Sequence, residues 1–183
     1  MEAPPSTQSI DKVSALYNGR RALYAPSVIA EAARLLDALF ETAERHGHTR
    51  TSDHIGELAT AAADATASKH RGPKEHRQAA EIHELHRELT QAFTEEGLTT
   101  TRCHVRLGVA VEPLSDGPRW VGRTGLAVAL YTNSGWELMV NTSRTRVFTI
   151  YAPATAEGAR EVAAIVHSIL RGTLPDPFRA DAR

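Results

Sequence analysis

Apolar positions recur at two different intervals along this chain. Up to residue 97 they return every third or fourth position, and beyond Thr99 every second. The first interval belongs to amphipathic helices and the second to half-buried strands. Ile10, Val13, Leu16 and Tyr17 set out a short helix between Ser9 and the Asn18-Gly19 stop. A longer helix is expected over 26–46. Pro26 suits its first turn, and Val28, Ala32, Leu35, Leu36, Leu39 and Ala43 form a stripe that Ile29, Ala33 and Phe40 widen. A stripe this broad calls for cover on more than one side, by other helices or by a second subunit. Residues 52–68, capped by Thr51 or Ser52, present Ile55, Leu58, Ala59, Ala62 and Ala65. That alanine-rich face admits a close neighbour but buries little area at ~25 cal/mol per Å². Lys69-His70-Arg71-Gly72-Pro73-Lys74 reads as a linker. A fourth helix over 73–96 carries Ile82, Leu85, Leu89 and Phe93 and stops at Gly97.

Downstream, Cys103, Val105, Leu107, Val109 and Val111 alternate with Arg102, His104, Arg106, Gly108 and Ala110, which predicts one strand over 102–112. A loop at 113–118 leads to a second strand within 119–132, where Leu126, Val128 and Leu130 oppose Ala127, Ala129 and Tyr131. Asn133-Ser134-Gly135 connects to a third strand (Trp136, Leu138, Val140), and Thr142-Ser143-Arg144 turns into a fourth from Val147 to Tyr151. Such short connections imply antiparallel neighbours. A last helix over 155–171 buries Val162, Ile165, Val166, Ile169 and Leu170 and ends at Gly172, and Phe178 is placed to pin the tail after it. The fold class is therefore α+β: N-terminal helices followed by a four-stranded antiparallel sheet covered on one face by helices. Residues 1–8 are expected as a flexible tail, 9–70 as a helical region and 74–178 as an α-ββββ-α domain. The outer sheet face is expected to be polar and arginine-bearing.

The order helix, four strands, helix over 74–172 resembles a small uncharacterised actinobacterial domain. The shared features are Gly135-Trp136, the run Glu161-Val162-Ala163-Ala164 and the tail Leu174 to Pro177. That resemblance implies the layout alone and transfers no activity and no site residue. An actinobacterium-like source also fits the composition, with 29 Ala and 18 Arg against 3 Lys.

Composition narrows the picture slightly. The chain has 183 residues, a formal charge of −1 and a single cysteine. Cys103 has no intrachain disulfide partner, and Met1 to Pro5 lack the basic start of a signal peptide, so a cytoplasmic setting without membrane attachment is the simplest expectation. The charge is uneven: residues 98–152 hold six arginines and three acids, a net of +3.

Three chemistries follow. Arg102, His104, Arg106, Arg123, Arg144 and Arg146 lie on or beside the strands and are the candidate ligand-binding residues for an anion or a phosphate backbone. Stacking on single-stranded nucleic acid would call on Tyr131 or Trp120. His83 and His86 are the candidate metal ligands. Their i, i+3 spacing is one short of the protease pattern, and a third ligand would come from elsewhere, such as His54 or a partner chain. Cys103 reads as a small core residue, and no cofactor is implied. The leading expectation is a non-enzymatic regulatory or protein-interaction module, self-associating as a homodimer through the helical region. The alternatives are anion or nucleic-acid binding by the arginines, and metal binding by the histidines.

Overall fold

In a computed structural model, the described residues are 4–20, 22–49, 51–71, 77–104, 108–131, 135–141 and 147–178. They form an α+β structure. In chain order its elements are α1 (Thr7–Asn18), β1 (Leu23–Tyr24), α2 (Pro26–Arg45), α3 (Ser52–His70), α4 (Ala79–Glu95), β2 (Thr100–Thr101) and β3 (Val109–Val111). A 3-10 turn (Arg119–Val121), β4 (Leu126–Leu130), β5 (Trp136–Val140), β6 (Val147–Tyr151) and α5 (Ala156–Leu170) follow.

Helix starts follow their local chemistry. The side chains of Ser6, Thr51 and Thr155 accept from the backbone N–H of Ser9, His54 and Gly158 and so cap α1, α3 and α5, each worth about 1 kcal/mol. Helix α2 lacks a capping side chain of its own. Glu161 of α5 takes that role, accepting the Ser27 backbone N–H at 2.7 Å and its hydroxyl. Helix α1 begins at Thr7, within the expected tail over 1–8, and Asp37 of α2 accepts the Ser6 N–H, the Ser6 hydroxyl and the hydroxyl of buried Ser9.

The sheet departs from the expected four-stranded meander. Among the described residues it has six strands in the order β1-β6-β5-β4-β3-β2 and is mixed, because β1 lies parallel to β6 with Leu23 opposite Ile150 and Tyr24 opposite Tyr151. Of the expected strand over 102–112, only Val109–Val111 is strand among the described residues, and a separate short strand precedes it at Thr100–Thr101. Strands β2 and β3 pair antiparallel, Thr100 with Val111 and Thr101 with Ala110, so the chain reverses between them. Buried Asn141 supplies the physical reason. Its side chain accepts the His104 N–H (2.9 Å) and donates to the Arg102 and Thr124 carbonyls (2.9 and 3.0 Å), meeting backbone needs that a continued ladder would have met. The register sets an even position opposite an odd one, so odd-numbered side chains change face across the reversal, and a period of two in the sequence does not reveal that change. Residues 119–121 likewise form a 3-10 turn, and β4 begins only at Leu126.

One face of the sheet carries the main core. Leu126, Val128, Leu130, Trp136, Leu138 and Ile150 are fully buried there, in one cluster with Leu89 and Phe93 of α4 and Val162, Val166 and Ile169 of α5. Val28, Ala32, Ala33 and Leu36 of α2 and Ala59, Ala62 and Ala63 of α3 belong to the same cluster, so the helical region and the sheet share one core. The broad α2 stripe is covered by α1 and α3, which leaves Leu35 37% exposed. Phe178 does pin the tail, with its ring 5.7 Å from Trp120 and 6.1 Å from Phe148.

The opposite face differs from the expected polar one among the described residues: it holds a second buried cluster of Ala110, Ala127, Ala129 and Met139, with Cys103 and Tyr131 packed against it and Glu137 and Thr149 in register beside Ala129. Cys103 therefore lies across the sheet from Val109 and Val111 rather than beside them. Among the described residues, no helix is long and apolar enough to cross a membrane.

Gly125 enters β4 beside Val111 at φ +74, and a Cβ there would stand 1.8 Å from the Val111 carbonyl oxygen. Gly125→Ala combines steric overlap with a left-handed backbone, so a loss of about 3 kcal/mol or more is expected in urea unfolding.

His86 of α4 is buried, and its Nε2 accepts the Leu130 N–H at 3.0 Å, two residues past the Val109–Val128 pairing. Burial, with a smaller contribution from exposed His83, pushes its pKa below the ordinary 6.5. Below pH 6.5 the unfolded chain takes up the proton first, so this contribution to stability is complete above that pH and lost as pH falls toward the folded value. His86→Gln keeps an acceptor that does not titrate. The stability advantage of wild type over this variant is expected to shrink between about pH 7 and about pH 5 in parallel urea titrations.

Candidate functional site

Of the expected arginine and histidine set, the structure brings His104 and Arg123 to one place. They line a cleft of about 350 Å³ at the sheet edge with Thr101, Glu112, Thr124 and Asn141. Arg102 is exposed and enters this site through its carbonyl, which Asn141 holds. Arg106, Arg144 and Arg146 lie outside the described residues. Glu112 opposes an anion in this cleft, so His104 and Arg123 do not make it a strongly basic one.

The candidate metal pair is not assembled as ligands. His83 is exposed on α4, while the Nε2 lone pair of His86 is already engaged by the Leu130 N–H. Among the described residues, no group of three or more His, Cys, Asp or Glu side chains is arranged to hold a metal ion.

A second cleft, of about 410 Å³, has the more distinctive chemistry. It is built where α1 and α3 end, beside the β1–β6 pair. Tyr17 on α1, Tyr24 on β1 and Tyr151 on β6 form a continuous stack. The first two rings are 3.7 Å apart and 5° from parallel, and the next two are 4.8 Å apart and 7° from parallel. The parallel pairing of Tyr24 with Tyr151 puts those rings on one side of the sheet, and the Tyr17 hydroxyl anchors the stack by donating to the Ala63 carbonyl of α3 at 2.8 Å. The Arg20 guanidinium lies over the Tyr17 ring at 5.6 Å, and Arg20 lines the cleft with Tyr24. Arg71, the residue that follows the last turn of α3, lines it with Tyr151. Two arginines thus share the cleft wall with neighbouring stacked rings. Asp64 and Ser68 complete the polar wall, and Asp64 accepts from Arg20 at 2.6 Å.

Position along α3 explains the convergence. Asp64, Ser68 and Arg71 are spaced by four and three residues and so share a face of the helix. The segment read as a linker over 69–74 is in fact the last turn of α3 as far as His70. Lys69 and His70 both pair with Glu31 of α2, and the Arg71 carbonyl accepts the Gly135 N–H at 3.0 Å. Burial pushes the Glu31 carboxyl up, but the hydrogen bonds from Lys69 and His70 outweigh it and hold the group below its usual range. The backbone at Arg71 is therefore held from both sides, by the α2 contacts of the two residues before it and by the sheet, while its side chain is exposed.

The electrostatics are mixed. The C-terminal carbonyl ends of α1 and α3 give the cleft a negative background that draws arginines to it. Burial lowers the Arg20 pKa, but the bonds to Asp64 and Tyr24 more than restore it, so its charge is secure. The Arg20–Asp64 pair is 30% and 58% exposed at its two side chains, so it is worth at most about 1 kcal/mol and opens readily to an incoming ligand. None of Arg20, Tyr24, Arg71 or Tyr151 stood out in the sequence as a site residue. The 64–68–71 spacing was a readable signal, whereas nothing local relates Tyr24 to Tyr151.

Comparison of the chain with protein-family models, with curated proteins and with solved structures finds no match.

Burial raises the pKa of Tyr17 above the ordinary 10, with the neighbouring Tyr24 adding to it. Burial likewise raises Tyr24, against the opposing effect of Arg20. The unfolded chain therefore loses these protons first, and their stabilisation, complete below pH 10, is lost as pH rises above it. Spectrophotometric alkaline titration of the folded protein is expected to lag that of the denatured protein, and Tyr24→Phe is expected to reduce the lag.

Proposed function

We propose that this chain is a binding module that takes a small anion-bearing ligand in the tyrosine–arginine cleft. The carrying observation is that Arg20 and Arg71 line one cleft with Tyr24 and Tyr151, whose rings are stacked 4.8 Å apart. Two cations on the wall of one cleft suit a carboxylate or phosphate group between them, with the tyrosine and Ser68 hydroxyls as further donors. The anion-binding alternative raised by the sequence is thereby favoured over self-association, but with Arg20 and Arg71 in place of the strand arginines. Self-association rested on the breadth of the α2 stripe, which α1 and α3 now account for. In this reading the regulatory or interaction role is the output of ligand binding, since a ligand would tie α1, α3 and the β1–β6 edge together.

Isothermal titration at low salt with sodium acetate and with sodium phosphate tests this. Binding of either anion is expected, weakened about tenfold or more by Arg71→Ala and by added salt. Arg123→Ala, in the sheet-edge cleft, is expected to leave it unchanged. Absence of binding by both anions, or loss on Arg123→Ala alone, overturns the assignment.

A further inference from the structure

We propose that the ligand of the tyrosine–arginine cleft is a free α-amino acid in its zwitterionic form. This rests on reading the cleft as an anion site and specifies what else the ligand must carry. A site for a bare anion is best served by cations alone, with the positive end of a helix aimed at it. Here the opposite end is present twice, because α1 ends at Asn18 and α3 at His70, each within two residues of an arginine that lines the cleft. One carboxylate, Asp64, stands among the arginines. The wall therefore holds two fixed cations and one fixed anion on a negative carbonyl background.

The complement of that pattern is a ligand with both signs a few bonds apart. Its carboxylate bridges Arg20 and Arg71, and its ammonium faces Asp64. The internal contact between Arg20 and Asp64, at 2.6 Å, already shows the two halves of that recognition satisfying each other. A zwitterion inserted between them replaces one exposed ion pair with two, and no fixed charge is left without a partner. A phosphate dianion would pair with the arginines but would confront Asp64 and the carbonyl ends. The remaining wall is apolar, formed by Ala22 and Ala67 beside the Tyr24 ring, which gives a small side chain a surface to rest on. The volume, about 410 Å³, accommodates a ligand of amino-acid size with room for water.

The test uses the full chain, with acetate, ethylamine and glycine as probes in the same titration. Glycine is expected to bind about tenfold or more tightly than acetate, with ethylamine weakest. Asp64→Asn is expected to bring glycine down to the level of acetate while leaving acetate itself unweakened. Asp64 is exposed and caps nothing, so a folded variant is expected, and the wild-type ranking of the three probes decides the matter without it. If acetate binds and glycine binds no better, the zwitterion assignment is overturned and the anion site stands. If none of the three binds and phosphate does, the zwitterion assignment falls likewise. If no anion binds at all, both fall together.

Discussion

One continuous apolar surface organises this molecule. Leu126, Val128, Leu130, Trp136, Leu138 and Ile150 project from the same side of β4, β5 and β6, and all six are fully buried. At about 1.5–3 kcal/mol for each large side chain, hiding that surface is the largest single gain open to the sheet. Five helices contribute side chains to this core: α4 and α5 with leucine, phenylalanine and valine, α2 with valine, alanine and leucine, α3 with alanine, and α1 with Val13 and Tyr17. Because α3 is faced with alanine, it approaches closely enough for Tyr17 of α1 to reach its backbone at Ala63.

Covering a sheet this way strands backbone groups at its margins, and two polar side chains answer that need. Asn141 takes up the backbone of Arg102, His104 and Thr124, where the chain has left the ladder. His86 takes up the Leu130 N–H. Each is a polar residue held inside by a specific hydrogen-bonding debt of the main chain, which is why neither is free for chemistry. The same logic applies at the end of α3, where Gly135 donates to the Arg71 carbonyl and so ties the last turn of that helix to the β4–β5 hairpin.

The tyrosine–arginine cleft is a by-product of the parallel addition of β1 to β6. That pairing sets Tyr24 beside Tyr151. The stack then extends to Tyr17, and the ends of α1 and α3 bring one arginine each to the rim. Charge of both signs accumulates there because exposed helix ends attract cations and the α3 surface supplies a carboxylate.

Much of the architecture was legible in the chain itself. Five helical patterns, the cap at Thr51, the stops at Gly97 and Gly172, and the alternation in β4 and β5 are consequences of side-chain spacing and short-range hydrogen bonding. These depend only on neighbours a few residues away, so a linear pattern carries them. The two-residue strand β1, the reversal between β2 and β3, the second buried cluster around Ala127 and Met139, and the meeting of Arg20 with Arg71 depend on partners many positions distant. An alternating run does not show where the chain reverses and its faces exchange, and an alanine reads alike on a solvated face or a covered one. Only the packed chain chooses between such equal readings, because the choice rests on which surfaces meet and which backbone groups those contacts leave to be satisfied.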